Sequence, residues 1–276
     1  MRRAPLALQR VLLASAVLGT AFGGQTSVAS AGPPLIADDP NTIGVGNAQP
    51  IFATVVLNRR NQTVIRGPLL DLTVGVVDSL DVTLVVSFDS VHREMESPAW
   101  QWLGELTPGF KWEFFRRERG SLCLSPAFAV GTRDPGSPLL LLPLQGELGV
   151  GDKTVRLGFD TGYVSFWRAP DEWFASVYAQ ASVAKHLTLQ GEFFSFGATT
   201  ERTIDLGISL GLTYLMFQRA HKTLELIAAI SPGLASFRQS RFDFRAYFGF
   251  QYTFARPRRS ETRTQRAPDG SLRQAM

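Results

Sequence analysis

The sequence predicts an all-β protein: an antiparallel transmembrane β-barrel of about twelve strands, with an export signal before it and a basic tail after it. Three observations carry this. Apolar residues recur at every second position through most of the chain. After the N-terminus, no apolar run approaches the ~18 residues of a membrane-spanning helix. The joins between alternating segments are long on one side and tight on the other, as in outer-membrane barrels.

The N-terminus is expected to be a targeting segment. Arg2, Arg3 and Arg10 form a basic region, Val11 to Gly24 is largely apolar, and Ala29-Ser30-Ala31 fits a small-x-small cleavage site. Residues 1–31 therefore read as a secretory signal peptide cut after Ala31. Residues 32–45 follow as a Pro- and Asp-rich segment containing Asp38 and Asp39. It reads as a rigid turn that either stays in the periplasm or folds into the barrel mouth.

The barrel itself is expected over 46–254. In chain order the candidate strands are 46–58, 63–77, 80–89, 105–115, 121–131, 139–150, 154–165, 173–183, 186–197, 203–215, 223–231 and 242–254. A strand sends alternate side chains to opposite faces. In 80–89, Leu80, Val82, Leu84, Val86 and Phe88 oppose Asp81, Thr83, Ser87 and Asp89. In 105–115, Leu106, Phe110, Trp112 and Phe114 oppose Glu105, Thr107, Lys111 and Glu113. In 154–165, Val155, Leu157, Phe159 and Tyr163 oppose Arg156, Gly158, Asp160 and Gly162. In 203–215, Ile204 to Tyr214 alternate with Asp205, Gly207, Ser209, Gly211 and Thr213. The clearest segment is 242–254, where Phe242, Phe244, Ala246, Phe248, Phe250, Tyr252 and Phe254 share one face. Helical period fits none of these. A secreted sandwich with its apolar face inward is the competing arrangement. Strands of ten or more residues are long for a sandwich, and the polar face is rich in glycine and small hydroxyls, which suits a wet lumen.

The joins 90–104, 132–138, 167–172 and 232–241 are long, whereas Asp78-Ser79, Glu118 to Gly120, Gly151 to Lys153 and Ala184-Lys185 are tight turns. The tight turns face the periplasm in such barrels, and an even strand number puts both termini there. Trp100, Trp102, Trp167 and Trp173 fall at long-loop strand ends. Phe114, Tyr214, Tyr252 and Phe254 lie near the opposite rim, so aromatic girdles are expected at both interfaces.

Residues 255–276 carry six arginines, Arg256, Arg258, Arg259, Arg263, Arg266 and Arg273, without apolar periodicity, and read as a disordered basic tail. The whole chain has a formal net charge of +4. The signal contributes three arginines and the tail six against Glu261 and Asp269. Residues 32–254 then hold 19 bases and 22 acids, a net of −3. The chain is an acidic barrel with basic ends, and no nucleic-acid partner is implied. Only the tail suits an anionic partner.

The polar faces converge on the lumen. The expected lining is Asp71, Asp81, Glu105, Lys111, Glu113, Gln145, Glu147, Arg156, Asp160, Gln190, Glu192, Asp205, Glu225, Asp243 and Arg245. Acids outnumber bases, which suits a mildly cation-preferring or polar-solute pathway. Alternatively, acids and bases pair across strands and block the lumen. Twelve strands lie between filled eight-stranded and open sixteen-stranded barrels, so geometry leaves both open.

No catalytic, cofactor or metal site emerges. His186 and His221 fall at tight turns and His92 in a long loop, without a Ser or Asp placed to build a nucleophile–base set. Cys123 is the only cysteine and reads as a small lumen filler. The glycines Gly146, Gly149 and Gly151 end a strand rather than open a helix, so they form no phosphate cradle.

Gly32-Pro33-Pro34-Leu35-Ile36-Ala37-Asp38-Asp39-Pro40 and Gly67-Pro68-Leu69-Leu70-Asp71-Leu72-Thr73-Val74-Gly75-Val76 resemble a family of outer-membrane barrels described as "transporter" or "putative meta-pathway of phenol degradation" proteins. The likeness runs over 32–254. It implies a channel-like barrel in a Gram-negative outer membrane, taking up small or hydrophobic compounds, with outer-membrane lipid and the barrel-insertion machinery as partners. The family's last strand ends its chain at an aromatic residue, whereas Phe254 here is followed by 22 residues. Two other readings remain: a non-transporting structural or interaction barrel using loop 90–104 through Met95, Trp100 and Trp102, and a barrel enzyme acting on lipid or peptide through His92.

Overall fold

The computed structural model describes Asp38 and residues 40–59, 62–93, 99–131, 138–150, 154–167, 171–199, 204–219, 221–237 and 243–255. Among these, every regular element is a strand. The strands are β1 (Ala48–Arg59), β2 (Gln62–Val77), β3 (Leu80–Arg93), β4 (Ala99–Arg117), β5 (Gly120–Leu124), β6 (Ala127–Gly131), β7 (Leu139–Val150), β8 (Val155–Phe166), β9 (Glu172–Ala184), β10 (Leu187–Ala198), β11 (Ile204–Arg219), β12 (Lys222–Phe237) and β13 (Phe244–Phe254).

β5 and β6 are halves of one strand, since both pair with β4 and with β7. The break falls at Ser125-Pro126, because proline has no N–H to give the ladder. Ser125 N–H reaches Pro143 O at 3.1 Å and Pro126 O accepts from Phe110 N–H at 3.0 Å, so the wall stays joined there. Each strand pairs antiparallel with its neighbours in sequence, and β1 closes on β13 with Ala48 opposite Phe254. The result is a closed twelve-stranded antiparallel barrel. Closure removes every sheet edge.

The strands begin and end close to the expected positions, with one systematic difference: they run further toward the loop rim. The join expected over 90–104 contracts to 94–98, because β3 continues to Arg93 and β4 starts at Ala99. Likewise 232–241 becomes 238–243. Three expectations change accordingly. His92 lies on β3, with Ser90 Oγ at 2.9 Å from its Nε2, rather than in a loop. Trp100 and Trp102 sit on β4, and their side chains lie outside the described residues, as does Met95. Asp243 precedes β13 at the loop rim and is exposed, with its backbone bonded to Gly233 on β12 and Asn58 on β1. The expected signal over 1–31, residues 32–37, Asp39 and the tail after Ala255 also lie outside the described residues.

The two faces of the wall differ in kind. Val82, Leu84, Phe110, Leu157, Val177, Leu210, Phe248 and Phe250 are among the large apolar side chains exposed around the outside. Their strand neighbours Asp81, Thr83, Lys111, Asp160, Gln180, Ser209 and Gln251 are buried inside. A soluble protein rarely exposes a contiguous apolar patch above a few hundred Å². An apolar wall all round, with the polar groups enclosed, is built for hydrocarbon outside.

Candidate functional site

The interior is occupied at the turn rim by the chain's own N-terminal segment. Gly44 and Gly46 adopt φ of +83° and +75°, a left-handed region that glycine enters without penalty. These turns lay residues 44–47 along the end of β2. Gly46 N–H donates to Gly75 O at 2.9 Å, and Gly75 N–H to Asn47 O at 3.0 Å. The approach is so close that a Cβ on Gly75 would sit 1.9 Å from Gly44 O.

Ahead of this contact the segment is held by side chains from β3, β4, β5, β7 and β8. Ile43 N–H donates to Asp81 Oδ2 at 2.8 Å. Thr42 gives both its N–H (3.1 Å) and its hydroxyl (3.0 Å) to Glu113 Oε2. Glu113 also binds Arg116, whose Nη2 reaches the Thr42 hydroxyl at 2.7 Å. Asn41 donates to Glu147 Oε1 at 3.3 Å and accepts from Ser121 Oγ at 2.9 Å. Asp38 forms a 2.6 Å ion pair with Lys111, both side chains 1% exposed. Its N–H points at Asp160 Oδ2, 3.4 Å away. Carboxylates that accept backbone N–H bonds make strong, charge-assisted contacts. The wall acids therefore act chiefly as acceptors for a segment with unpaired backbone donors.

Glu147 is the most connected of them. Besides Asn41 it binds Arg156 Nη1 at 2.7 Å, Tyr178 OH at 3.2 Å and Gln180 Nε2 at 3.3 Å. A cleft of about 80 Å³ remains at the rim, where Asn41, Ser121, Glu147 and Arg156 meet Arg117 at the end of β4 and Arg119 in the turn after it.

Toward the loop rim the interior changes character. Leu57, Val64, Leu141, Phe166, Phe174 and Phe196 belong to one buried apolar cluster inside the barrel. The β1 residues Ile51, Ala53, Val55 and Leu57 also belong to it. Apolar residues thus fall on both faces of β1, whose inner face is apolar apart from Gln49 and whose outer face is mixed. On the β2–β4 side, Arg66 makes a two-point contact with Asp89 at 3.0 and 2.8 Å, and Glu105 lies 3.7 Å away. Glu105 in turn accepts from the Thr107 hydroxyl at 2.8 Å.

Of the residues named from sequence, Asp71, Asp81, Glu105, Lys111, Glu113, Gln145, Glu147, Asp160, Gln190, Glu192 and Arg245 are all buried. Arg156, Asp205 and Glu225 are half-buried. Glu225 accepts from Gln251 Nε2 at 2.9 Å, and Arg245 lies within electrostatic reach of Glu192. Sequence reasoning did not single out Thr42, Ile43, Gly75 or Arg66. Arg66 stands at the start of a register shift between Arg66 and Leu69, which hides its face. Cys123 is buried, within 3.0 Å of Ser125 Oγ and 3.3 Å of Gln145 Oε1. Among the described residues no group of three or more His, Cys, Asp or Glu is arranged to hold a metal ion.

Of the named aromatics, Trp167 is 79% exposed at the loop rim. Trp173 is half-buried on the outer wall, against Gly197. Tyr214 and Phe254 are exposed on the outside, and the Tyr252 and Phe254 rings meet at a tilt of 56° with centroids 4.3 Å apart.

No family model matches the sequence, and no curated relative matches it either. The fold does have solved counterparts. An outer-membrane channel from Pseudomonas putida F1 superimposes with a TM-score of 0.64 at 12% identity, covering 79% of this chain and 99% of that one. The KdgM porin, solved in complex with disordered oligogalacturonate, superimposes with a TM-score of 0.51 at 11% identity, covering 74% of this chain and 99% of its own. At these identities the likeness is one of fold.

Proposed function

We propose that the protein is a non-catalytic channel or transporter of a Gram-negative outer membrane, passing small or hydrophobic solutes, with its termini on the periplasmic side. The observation that carries this is the division of the interior. A buried apolar cluster lies toward the loop rim, and the polar interior at the turn rim is occupied by Asp38 and residues 41–47. A barrel serving only as a scaffold needs no separate segment latched into its throat. The latch consists of hydrogen bonds and one ion pair between groups that water can also satisfy, so it can exchange. The likeness of 32–40 and 67–76 to the phenol-degradation transporter family supports the same reading, as does the fold shared with a solved outer-membrane channel. In it, residues 1–31 are the export signal and residues 255–276 a basic periplasmic tail.

A specific observation favours the non-transporting alternative: the throat residues are buried, and Arg156 is paired to Glu147. The two readings part in planar bilayers. A transporter should show solute flux or conductance that rises when residues 32–47 are deleted. A folded deletion variant that stays silent would favour the structural barrel.

A further inference from the structure

A second feature lies outside the barrel, on the turn rim of β11, β12 and β13. A register shift between Leu215 and Phe217 re-aims the end of β11, as β-bulges do. Beyond it, the Arg219 guanidinium lies over the Phe217 ring, 5.5 Å from its centroid. Arg219 stands directly opposite Lys222 on β12, and Lys222 directly opposite Phe254 on β13. Residues opposite one another in an antiparallel pair share a face, so these three form one outward row. The row above it is Phe217, Leu224 and Tyr252, again in register. Arg219 and Lys222 are both exposed. Neither has an ion-pair partner among the described residues.

Like charges directly opposite on a sheet destabilise it. A pair of cations at the foot of an apolar wall, with one of them held over a ring, is relieved by an anion carried at the end of a hydrocarbon chain. Arginine grips phosphate oxygens at two points and lysine supplies a compact charge. β4 carries the same local device: a register shift between Glu113 and Phe115, with Arg117 5.8 Å over the Phe115 ring. There, however, the residue opposite Arg117 is Gly120, so no paired cation is formed.

We propose that Arg219 and Lys222 bind the phosphate head group of an anionic glycerophospholipid, whose acyl chains lie along Phe217, Leu224 and Tyr252. The proposal rests on the outer-membrane reading, which places this rim at the phospholipid leaflet. It gives the barrel an anchoring lipid at the strands that flank its closing seam, β13 to β1.

The test uses the full-length protein folded in detergent, with phosphatidylglycerol or phosphatidylcholine added and retained lipid counted by native mass spectrometry. Wild type should prefer phosphatidylglycerol. Arg219→Gln and Lys222→Gln should each lose about fivefold of that preference, the ~1 kcal/mol typical of one basic residue beside anionic lipid. Arg117→Gln, which removes the same charge elsewhere, should keep the preference. Equal retention of the two lipids by wild type, or an equal loss in Arg117→Gln, overturns the site. So does competition by millimolar glycerol phosphate alone, since the acyl chains would then add nothing. Heat-resistant migration in detergent gels, run on the same samples, separates the causes. If it is present without lipid preference, the site alone fails. If wild type is soluble without detergent, the membrane reading fails with it.

Discussion

Gly75 offers the sharpest perturbation of the closed throat. In Gly75→Ala the new methyl would lie 1.9 Å from Gly44 O, far inside any tolerated contact, so residues 44–46 must retreat by about 1 Å or more from normal carbon–oxygen separations. That motion breaks the two backbone bonds between Gly75 and residues 46 and 47. At about 1 kcal/mol net for each, the docked state loses roughly 2 kcal/mol. That shifts the docked-to-released ratio about thirtyfold. The wall itself should survive, because β2 keeps its ladder to β1 from Val74 upward and its pairing to β3 on both sides of the register shifts. In planar bilayers Gly75→Ala should spend more time in a conducting state than wild type, while migrating as a heat-resistant barrel. A maleimide should label Thr42→Cys readily only when Gly75→Ala is also present, in a Cys123→Ser background. If Gly75→Ala folds, conducts like wild type and leaves position 42 protected, the close approach at Gly75 does not hold the segment.

Lys111→Met should be more severe. It strands Asp38 beside Asp160 and Asp71, and losing one partner of a buried pair costs about 3–5 kcal/mol. Urea unfolding should show that loss, and adding Asp38→Asn should recover part of it. On the outer wall, Leu84→Arg at mid-barrel should cost about 2–4 kcal/mol for refolding into bilayers, and Val77→Arg at the turn rim about 0–1 kcal/mol. Equal costs at the two depths would contradict the membrane placement. At the loop rim, the Tyr163 hydroxyl and the Phe166 N–H both bind Asp171 and hold its carboxylate below its ordinary value. A depressed folded value means the clamp contributes above the unfolded pKa of about 4 and is lost only as pH falls through the lower folded value. Proteolysis of the 167–171 join should therefore stay slow at pH 5 and rise below pH 4, while Asp171→Asn should show no such step.

The barrel was legible because period two is a property of single strands. Phe242 to Phe254 or Leu80 to Asp89 announce their faces without help from neighbours. What was less legible has physical reasons. β1 was placed as a strand, but it does not announce its inner face, because Ile51, Val55 and Leu57 pack into an apolar interior patch that no single strand reveals. Arg66 and Phe217 lie at register shifts, where alternation loses its phase. The break at Ser125-Pro126 leaves the strand's place in the wall unchanged, so 121–131 reads as one strand despite it. For 32–45 the sequence left two alternatives, the periplasm or the barrel mouth, and could not choose between them. The segment's partners, Asp81, Glu113, Glu147 and Asp160, come from four separate parts of the chain and are brought together only by closure.

Closure also changes what the acidic interior means. A net of −3 over residues 32–254 suggests a cation path if the acids line open water. In the structure, Asp81, Glu113, Glu147 and Asp160 each receive a hydrogen bond from residues 38–43, and Asp89 is bound by Arg66. An acid engaged by the segment keeps its charge, but its oxygens are covered and are not presented to a passing ion. The surplus of acids over bases is then what is required to hold a segment whose donors are mostly main-chain amides, which carry no formal charge to balance it. Asp71 is the exception, buried with neither oxygen hydrogen-bonded and facing Asp38 and Lys111 electrostatically. Selectivity should accordingly be weak while the segment is docked and should turn cation-preferring when it is released, because release uncovers Asp81 and Asp160, while Glu113 keeps Arg116 and Glu147 keeps Arg156. Reversal-potential measurements across a salt gradient, comparing wild type with Gly75→Ala, would show this as a shift toward the cation's equilibrium potential. Unchanged selectivity in a more conductive Gly75→Ala would mean that the wall acids find new partners within the wall.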